Sequence, residues 1–345
     1  MVAEIASRLL TPRKPGAPVA RWVLWVAAMR AWLFLALLLV VFEIWARVSY
    51  GASFVFSSYN AQSIAIFAVA PLLLALGETF VIIAGGIDLS VGFIMGLSAV
   101  VSAIAINRAS VVLDPFPAML FGIASGLAVS LLPGAVNGWL ISKLKVPPFI
   151  GTLGMFGVAR GAAFLLAGGT TVPVANAWFA ALGNGRLLGF PVVVIITVLF
   201  VLIMHYLLSQ TRFGQHTYAL GASEQAAVRA GIGVGRHTRK LYLLSALCAG
   251  IGGVLYAARF TAGAAQAGEP LLLDSIAAVV IGGASLFGGS GTILGTVAGS
   301  LVIAVIQYGL VFIDVEPFWQ FVAVGIVIII SVLVDQTQRR LGGDR

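Results

Sequence analysis

The sequence predicts an all-α integral membrane protein: a polytopic bundle of about ten transmembrane helices with both termini cytosolic. Three observations carry this. Of 345 residues, 60% are hydrophobic and only 9% charged, whereas soluble domains run near about a quarter charged, so a bilayer must solvate this surface. Apolar runs of spanning length recur along the whole chain. The basic residues collect on alternate links between those runs.

The elements follow in order. Residues 1–30 form a basic cytosolic tail carrying Arg8, Arg13, Lys14, Arg21 and Arg30 among Pro12, Pro15 and Pro18. No short apolar core with a small-x-small cleavage site follows, so the first span is retained. Residues 31–335 form the transmembrane domain, with spans expected at 31–49, 63–84, 91–107, 116–142, 148–167, 190–208, 241–259, 271–287, 292–312 and 319–335. Glycines interrupt the chain in 63–92 and 271–291, which predicts discontinuous segments there. The outer loop at 168–189 is glycine-rich and too short for a soluble domain. Residues 336–345 close the chain as a cytosolic tail. This alternation puts 15 of the 20 basic residues inside and four outside, with Arg160 within a span.

Several chemistries are excluded. The net charge of +8 sits at span ends and loops, where it sets orientation among membrane lipids, and no nucleic-acid partner is expected. The single Cys248 allows neither an intrachain disulfide nor a cysteine metal cluster. His205, His216 and His237 lack metal-ligand spacing, so no metal site is read. No G-x-x-x-x-G-K-[ST] motif occurs, so the chain is not itself an ATPase of that type and binds no cofactor. No nucleophile–base pair or pair of acids marks a catalytic residue, and the chain is not an enzyme.

Two regions carry positive signals. The first is residues 209–240, the one long polar stretch between spans. Ser223 is placed to cap a short helix that begins at Glu224, an acid suited to the positive end of the helix dipole, and Gly231 is placed to stop it. Ala226, Ala227 and Ala230 give that helix a small-residue face, and Glu224 and Arg229 are positioned to fix its register. This suits docking into a groove on a cytosolic partner; the alternative is a plain connector. The second region is Gly85-Gly86-Ile87-Asp88-Leu89-Ser90-Val91-Gly92. A carboxylate at bilayer depth costs about 2.5–3.5 kcal/mol, so Asp88 must face donors or a cavity. Asp88 or Ser90 serves either as a helix cap or as a gate. Glu78 lies within a span, where it pairs with Arg160, faces a hydrated cavity, or acts as a proton relay. Asn137 and Thr152 are further polar candidates for the pathway. The pattern GG-x-x-L-x-x-G recurs at Gly282-Gly283-Ala284-Ser285-Leu286-Phe287-Gly288-Gly289, either an internal repeat or a chance product of 41 glycines.

Three segments resemble the permease subunit of bacterial ATP-binding cassette (ABC) importers of the ribose/xylose/galactoside class. They are Phe80 through Gly92 (FVIIAGGIDLSVG), Val146 through Gly154 (VPPFIGTLG), and Ile276 through Gly289 (IAAVVIGGASLFGG). The likeness runs from about Ser63 to Asp335, and the loop from Gly221 to Ile232 is similar to that family's contact with its ATPase. The resemblance implies a permease domain over 31–335 that translocates a pentose or hexose by alternating access. It also implies a cytosolic ABC ATPase subunit that uses ATP and Mg, a periplasmic or lipid-anchored sugar-binding protein, and a second permease copy, as homo- or heterodimer. The same architecture serves amino acids, nucleosides or polyols, and an ion-coupled carrier using Glu78 is the remaining rival. The sequence departs from the family twice: Glu78 stands where Met is usual, and Ala222-Ser223 where Gly-Asn is usual.

Overall fold

The computed structural model describes residues 21–316 and 318–342. Its elements are α1 (Arg21–Tyr50), α2 (Ser58–Ile83), α3 (Val91–Ala109), α4 (Pro115–Lys143), α5 (Pro148–Ala167), β1 (Val172–Pro173), α6 (Ala177–Asn184), β2 (Arg186–Leu187), β3 (Phe190–Pro191), α7 (Val192–Gln210), α8 (Arg212–Ala222), α9 (Glu224–Arg229), α10 (Val234–Phe260), β4 (Ala262–Gly263), α11 (Glu269–Ile281), α12 (Ile293–Phe312) and α13 (Phe318–Gly342).

All ten expected spans are helices. Eight of them, α1, α2, α3, α4, α5, α7, α10 and α12, are long and apolar enough to cross a membrane. α11 has only 13 residues, because Gly282-Gly283 stops it before 287, and Gly283 takes φ +94°. The apolar part of α13 described here, Phe318–Ile330, is likewise short. Two boundaries differ from expectation at the ends. Residues 21–30, expected in the tail, already belong to α1, since no Gly or Pro lies between Pro18 and Gly51 to delay the helix. Residues 336–342 continue α13 instead of starting a tail. Residues 1–20 and 343–345 of the expected tails lie outside the described residues. Helix α10 also starts at Val234, seven positions before the expected 241, because Gly231 and Gly233 are the last breakers ahead of it. Arg236, Arg239 and Lys240 are therefore helical.

Helices α2, α3, α10 and α12 are largely buried, whereas α1, α4, α5 and α7 expose most of their surface. The outer helices present Leu37, Ile44, Leu132, Val158, Leu165, Leu199 and Leu202 to the surroundings, as lipid-facing surfaces should. Inside, glycines let backbones touch. A Cβ on Gly96 would overlap the Ala265 carbonyl, and one on Gly299 would overlap that of Ala278. The outer loop is tied down by antiparallel pairing of β1 with β4 (Val172↔Gly263) and of β2 with β3. The basic residues Lys143, Lys145, Arg212, Arg236 and Lys240 assign the adjoining ends of α4, α7 and α10 to the cytosolic side.

Candidate coupling surface and gate

The polar stretch after α7 folds into two helices, where the sequence suggested one. Thr211 caps α8 by accepting from the Gly214 N–H. The missed signal is the spacing of Phe213, Thr217 and Leu220, a one-sided stripe that turns toward the bundle. Thr217 Oγ1 lies 2.9 Å from His237 Nε2 on α10, and the Tyr218 hydroxyl donates to the Gly291 carbonyl at 2.7 Å. Ser223 then breaks the path with an extended backbone, and its hydroxyl accepts from the Ala226 N–H at 3.2 Å, which caps α9. Glu224 occupies the first turn and Arg229 the last, each suited to the dipole at its end. Gly231 ends the turn at φ +79°, a left-handed conformation that glycine adopts without penalty.

The faces of this hairpin differ from expectation. Ala227 is 2% exposed and packs into its own protein, so it lies off the outer face. Ala226 and Ala230 are exposed, together with Glu224, Gln225, Val228, Arg229 and Gly231. A six-residue helix is too short for composition to fix which side turns in. Gly221 also faces inward: a Cβ there would overlap the Ile83 carbonyl and press on the Gly289 N–H. Gly221 therefore seats α8 against the end of α2. Glu224 reaches Lys145, in the elbow between α4 and α5, at 3.5 Å.

The second region is a buried polar cluster gathered from α2, the segment after it, α4 and α10. Gly85, at φ +83°, ends α2 and sends residues 87–90 back into the protein. Asp88 is fully buried. Its Oδ1 accepts from the Ser90 N–H at 3.1 Å and from the Ser90 hydroxyl. Its Oδ2 accepts from the Ser245 hydroxyl at 3.0 Å. Asn137 Nδ2 donates to Ser90 Oγ at 2.9 Å. The Asp88 N–H points to Glu78 Oε2 at 3.4 Å. Thr152 donates to the Pro148 carbonyl at 2.9 Å and approaches the Ile87 carbonyl at 3.3 Å, which links α5 to the same segment. The five residues Glu78, Asp88, Ser90, Asn137 and Thr152 thus converge.

Two sequence readings are corrected here. Ser90 holds the N-cap position of α3 but makes no side-chain cap, because its hydroxyl is engaged by Asp88 and Asn137. Asp88 likewise accepts from Ser90 and not from the first turn of α3. Glu78 and Arg160 do not pair. Arg160 is exposed on α5 with its guanidinium 5.3 Å from the Phe93 ring, whereas Glu78 is fully buried beside Asp88. Charge and depth alone did not reveal which side of each helix these residues occupy. Among the described residues, Glu78 Oε1, Asn137 Oδ1 and Tyr242 Oη are buried without a hydrogen-bond partner, an unusual concentration for a native interior.

The two regions touch. The Gly289 N–H, in the second Gly-Gly segment, donates to the Ile83 carbonyl at 2.8 Å. A Cβ on Gly288 would lie 2.9 Å from the Gly221 carbonyl and 3.1 Å from Gly85 Cα. Gly221 of α8, Gly85 of the first break and Gly288 of the second therefore form one glycine contact. These contacts join the α8–α9 hairpin to both breaks through backbone atoms.

Over residues 60–332 the chain matches the family described as branched-chain amino acid transport system / permease component. It is 42% identical to a ribose import permease protein of Bacillus subtilis (strain 168), across 76% of this chain and 80% of that one. A fructose import permease protein of Rhizobium meliloti is 37% identical, across 76% and 74%. A D-allose transport system permease protein of Escherichia coli (strain K12) is 37% identical, across 77% and 79%.

Proposed function

The chain belongs to this permease family, the membrane subunits of ABC importers, and on that premise we propose that it carries a monosaccharide inward across the bacterial inner membrane, driven by a separate ATPase. It is a multi-pass protein of that membrane. The relatives named for ribose, fructose, D-allose and L-arabinose favour a pentose or hexose over the amino acids in the family's description. ATP and Mg are bound and used on the partner ATPase, and this chain contributes no cofactor site. A sugar-binding protein outside delivers the cargo, and a second permease copy completes the pathway.

The observation that carries the coupling role is the α9 hairpin. It is capped at both ends, held from behind by Ala227 and Gly221, and presents Glu224, Gln225, Val228 and Arg229 outward. Val228 is 57% exposed on the cytosolic side, away from lipid, as an apolar anchor for a protein partner would be. ATP-driven closure of the partner pushes α9. Through the glycine contact the push reaches Gly85, and residues 87–90 then shift against Ser245 and Asn137. Such a ligand-driven switch needs unequal affinity for the two states. The unpartnered Glu78 Oε1, Asn137 Oδ1 and Tyr242 Oη give the segment other hydrogen bonds to adopt.

The test is Val228→Asp together with Arg229→Glu. Both residues are exposed, so folding should persist, while ATPase co-purification and sugar uptake should fall at least about tenfold if a desolvated anchor is lost. Normal values for both would remove the docking assignment. Ala227 is unsuitable for this purpose, since a larger residue there would disturb the permease itself.

A further inference from the structure

A cavity of about 290 Å³ opens on the cytosolic side. It is walled by the end of α2, the Gly85-Gly86 break, the α4–α5 elbow, α8, α9 and the start of α10. Two hydroxyls that line it, Ser142 Oγ and Tyr242 Oη, are buried and make no hydrogen bond. Gly86 packs closely on the tyrosine, since a Cβ there would stand 2.8 Å from Tyr242 Oη. Thr238 also lines the wall, and the rim carries Lys145 and Glu224, 3.5 Å apart. Lys145 holds a left-handed backbone at φ +56°, a conformation that non-glycine residues keep where surroundings impose it.

We propose that this cavity is a cytosol-side binding site for the transported monosaccharide, separate from any pathway between two permease copies. The proposal rests on the sugar reading given above. The volume is near the lower end for small-molecule pockets, of about 300–1,000 Å³, which suits a single sugar ring better than an oligosaccharide. Sugars present hydroxyls that both donate and accept, and Ser142 Oγ and Tyr242 Oη, buried in the wall without a bond, have the same dual capacity. The occupant would touch the Gly85-Gly86 break and Glu224 of α9 at once. It therefore binds the relative positions of hairpin and gate seen here more tightly than any rearranged ones. By linkage, cytosolic sugar holds this state and slows further import.

The experiment uses the full chain, with D-ribose, D-fructose, D-allose and L-arabinose as probes. Equilibrium binding to purified permease should be saturable for at least one sugar and weakened about tenfold by Tyr242→Phe or by Ser142→Ala, each of which removes one hydroxyl. Should Tyr242→Phe fold poorly, Ser142→Ala decides. Sidedness is read with Thr238→Cys in inside-out vesicles, where the native Cys248 is buried and silent to an impermeant maleimide. Sugar at ten times its dissociation constant should slow labelling about tenfold. Saturable binding that both hydroxyl deletions leave unchanged, or labelling that sugar leaves unchanged, overturns this site. Uptake by the assembled importer separates the two claims. Import of these sugars without protection of residue 238 sinks the cytosolic site alone, and failure to import any of them sinks the sugar reading from which it starts.

Discussion

After Gly85-Gly86 the chain turns into the protein; after Gly282-Gly283 it remains partly exposed at the cytosolic end. The two segments share GG-x-x-L-x-x-G, and each breaks a helix with a positive-φ glycine. They differ at the fourth position, where Asp88 stands opposite Ser285. Asp88 draws donors from Ser90 and from Ser245 on another helix. The Ser285 hydroxyl accepts from the Phe287 N–H at 3.1 Å, and its own N–H donates to the Ser290 carbonyl at 3.0 Å. Ser285 is itself buried, so what separates the two positions is the carboxylate and the donors it gathers from another helix. A carboxylate at this depth is stable only with such donors, so the first segment is held through its Asp88 side chain, whereas the second meets the end of α2 through a backbone bond, Gly289 N–H to the Ile83 carbonyl.

Removing the acid should break that contrast most severely. Asp88→Ala leaves three buried donors without an acceptor, at about 1–3 kcal/mol each, so unfolding in detergent should show a loss of at least about 3 kcal/mol, with uptake abolished. Asp88→Asn keeps an acceptor and should lose less. Ser285→Ala removes the acceptor of the Phe287 N–H and no charge, and should cost about 1 kcal/mol. Equal losses at the two positions would mean that the inward course of 87–90 does not depend on Asp88.

The next test strikes the point where both segments meet α8. Gly221→Ala places a Cβ against the Ile83 carbonyl and the Gly289 N–H, backbone groups that cannot rotate away. Overpacking of this kind costs about 1–3 kcal/mol, and coupling should suffer more than fold: ATPase activity should persist while sugar uptake drops. Undiminished uptake would show that motion reaches the gate by another route. Ser223→Ala is milder, with loss of the α9 cap lowering stability by about 1 kcal/mol. Hydrogen exchange confined to residues 223–231 would locate that loss, and protection unchanged there would deny the cap any role.

Much of this arrangement was readable from residue order, and the reason is local. The Gly-Gly breaks, the Ser223 cap and the Gly231 stop depend on backbone preferences within a few positions, and the spans depend on unbroken apolar length. What escaped is long-range or phase-dependent. Asp88 meets Ser245 across 157 positions and Ser90 meets Asn137 across 47, distances that no motif spans. The inward turn of Ala227 could not be phased within six residues. Helix α8 was overlooked because its three-residue stripe is interleaved with Gly214, Gln215 and His216, so it reads as loop. The Glu78–Arg160 pairing failed for a related reason: sequence gives the depth of a charge but not the direction its side chain takes.

The smallest expected effect bears on whether α9 belongs to the permease or to its partner. Lys145 and Glu224 stand 3.5 Å apart with side chains 71% and 58% exposed. An exposed pair of this kind contributes between about zero and 1 kcal/mol and is screened by salt. Lys145→Gln should therefore shift unfolding by under about 0.5 kcal/mol, and raising the salt concentration should erase even that. A salt-independent loss above about 1 kcal/mol would place the pair in a desolvated setting. The outer face of α9 would then be clamped by the α4–α5 elbow, and the hairpin could not be both clamped there and free to follow a motor.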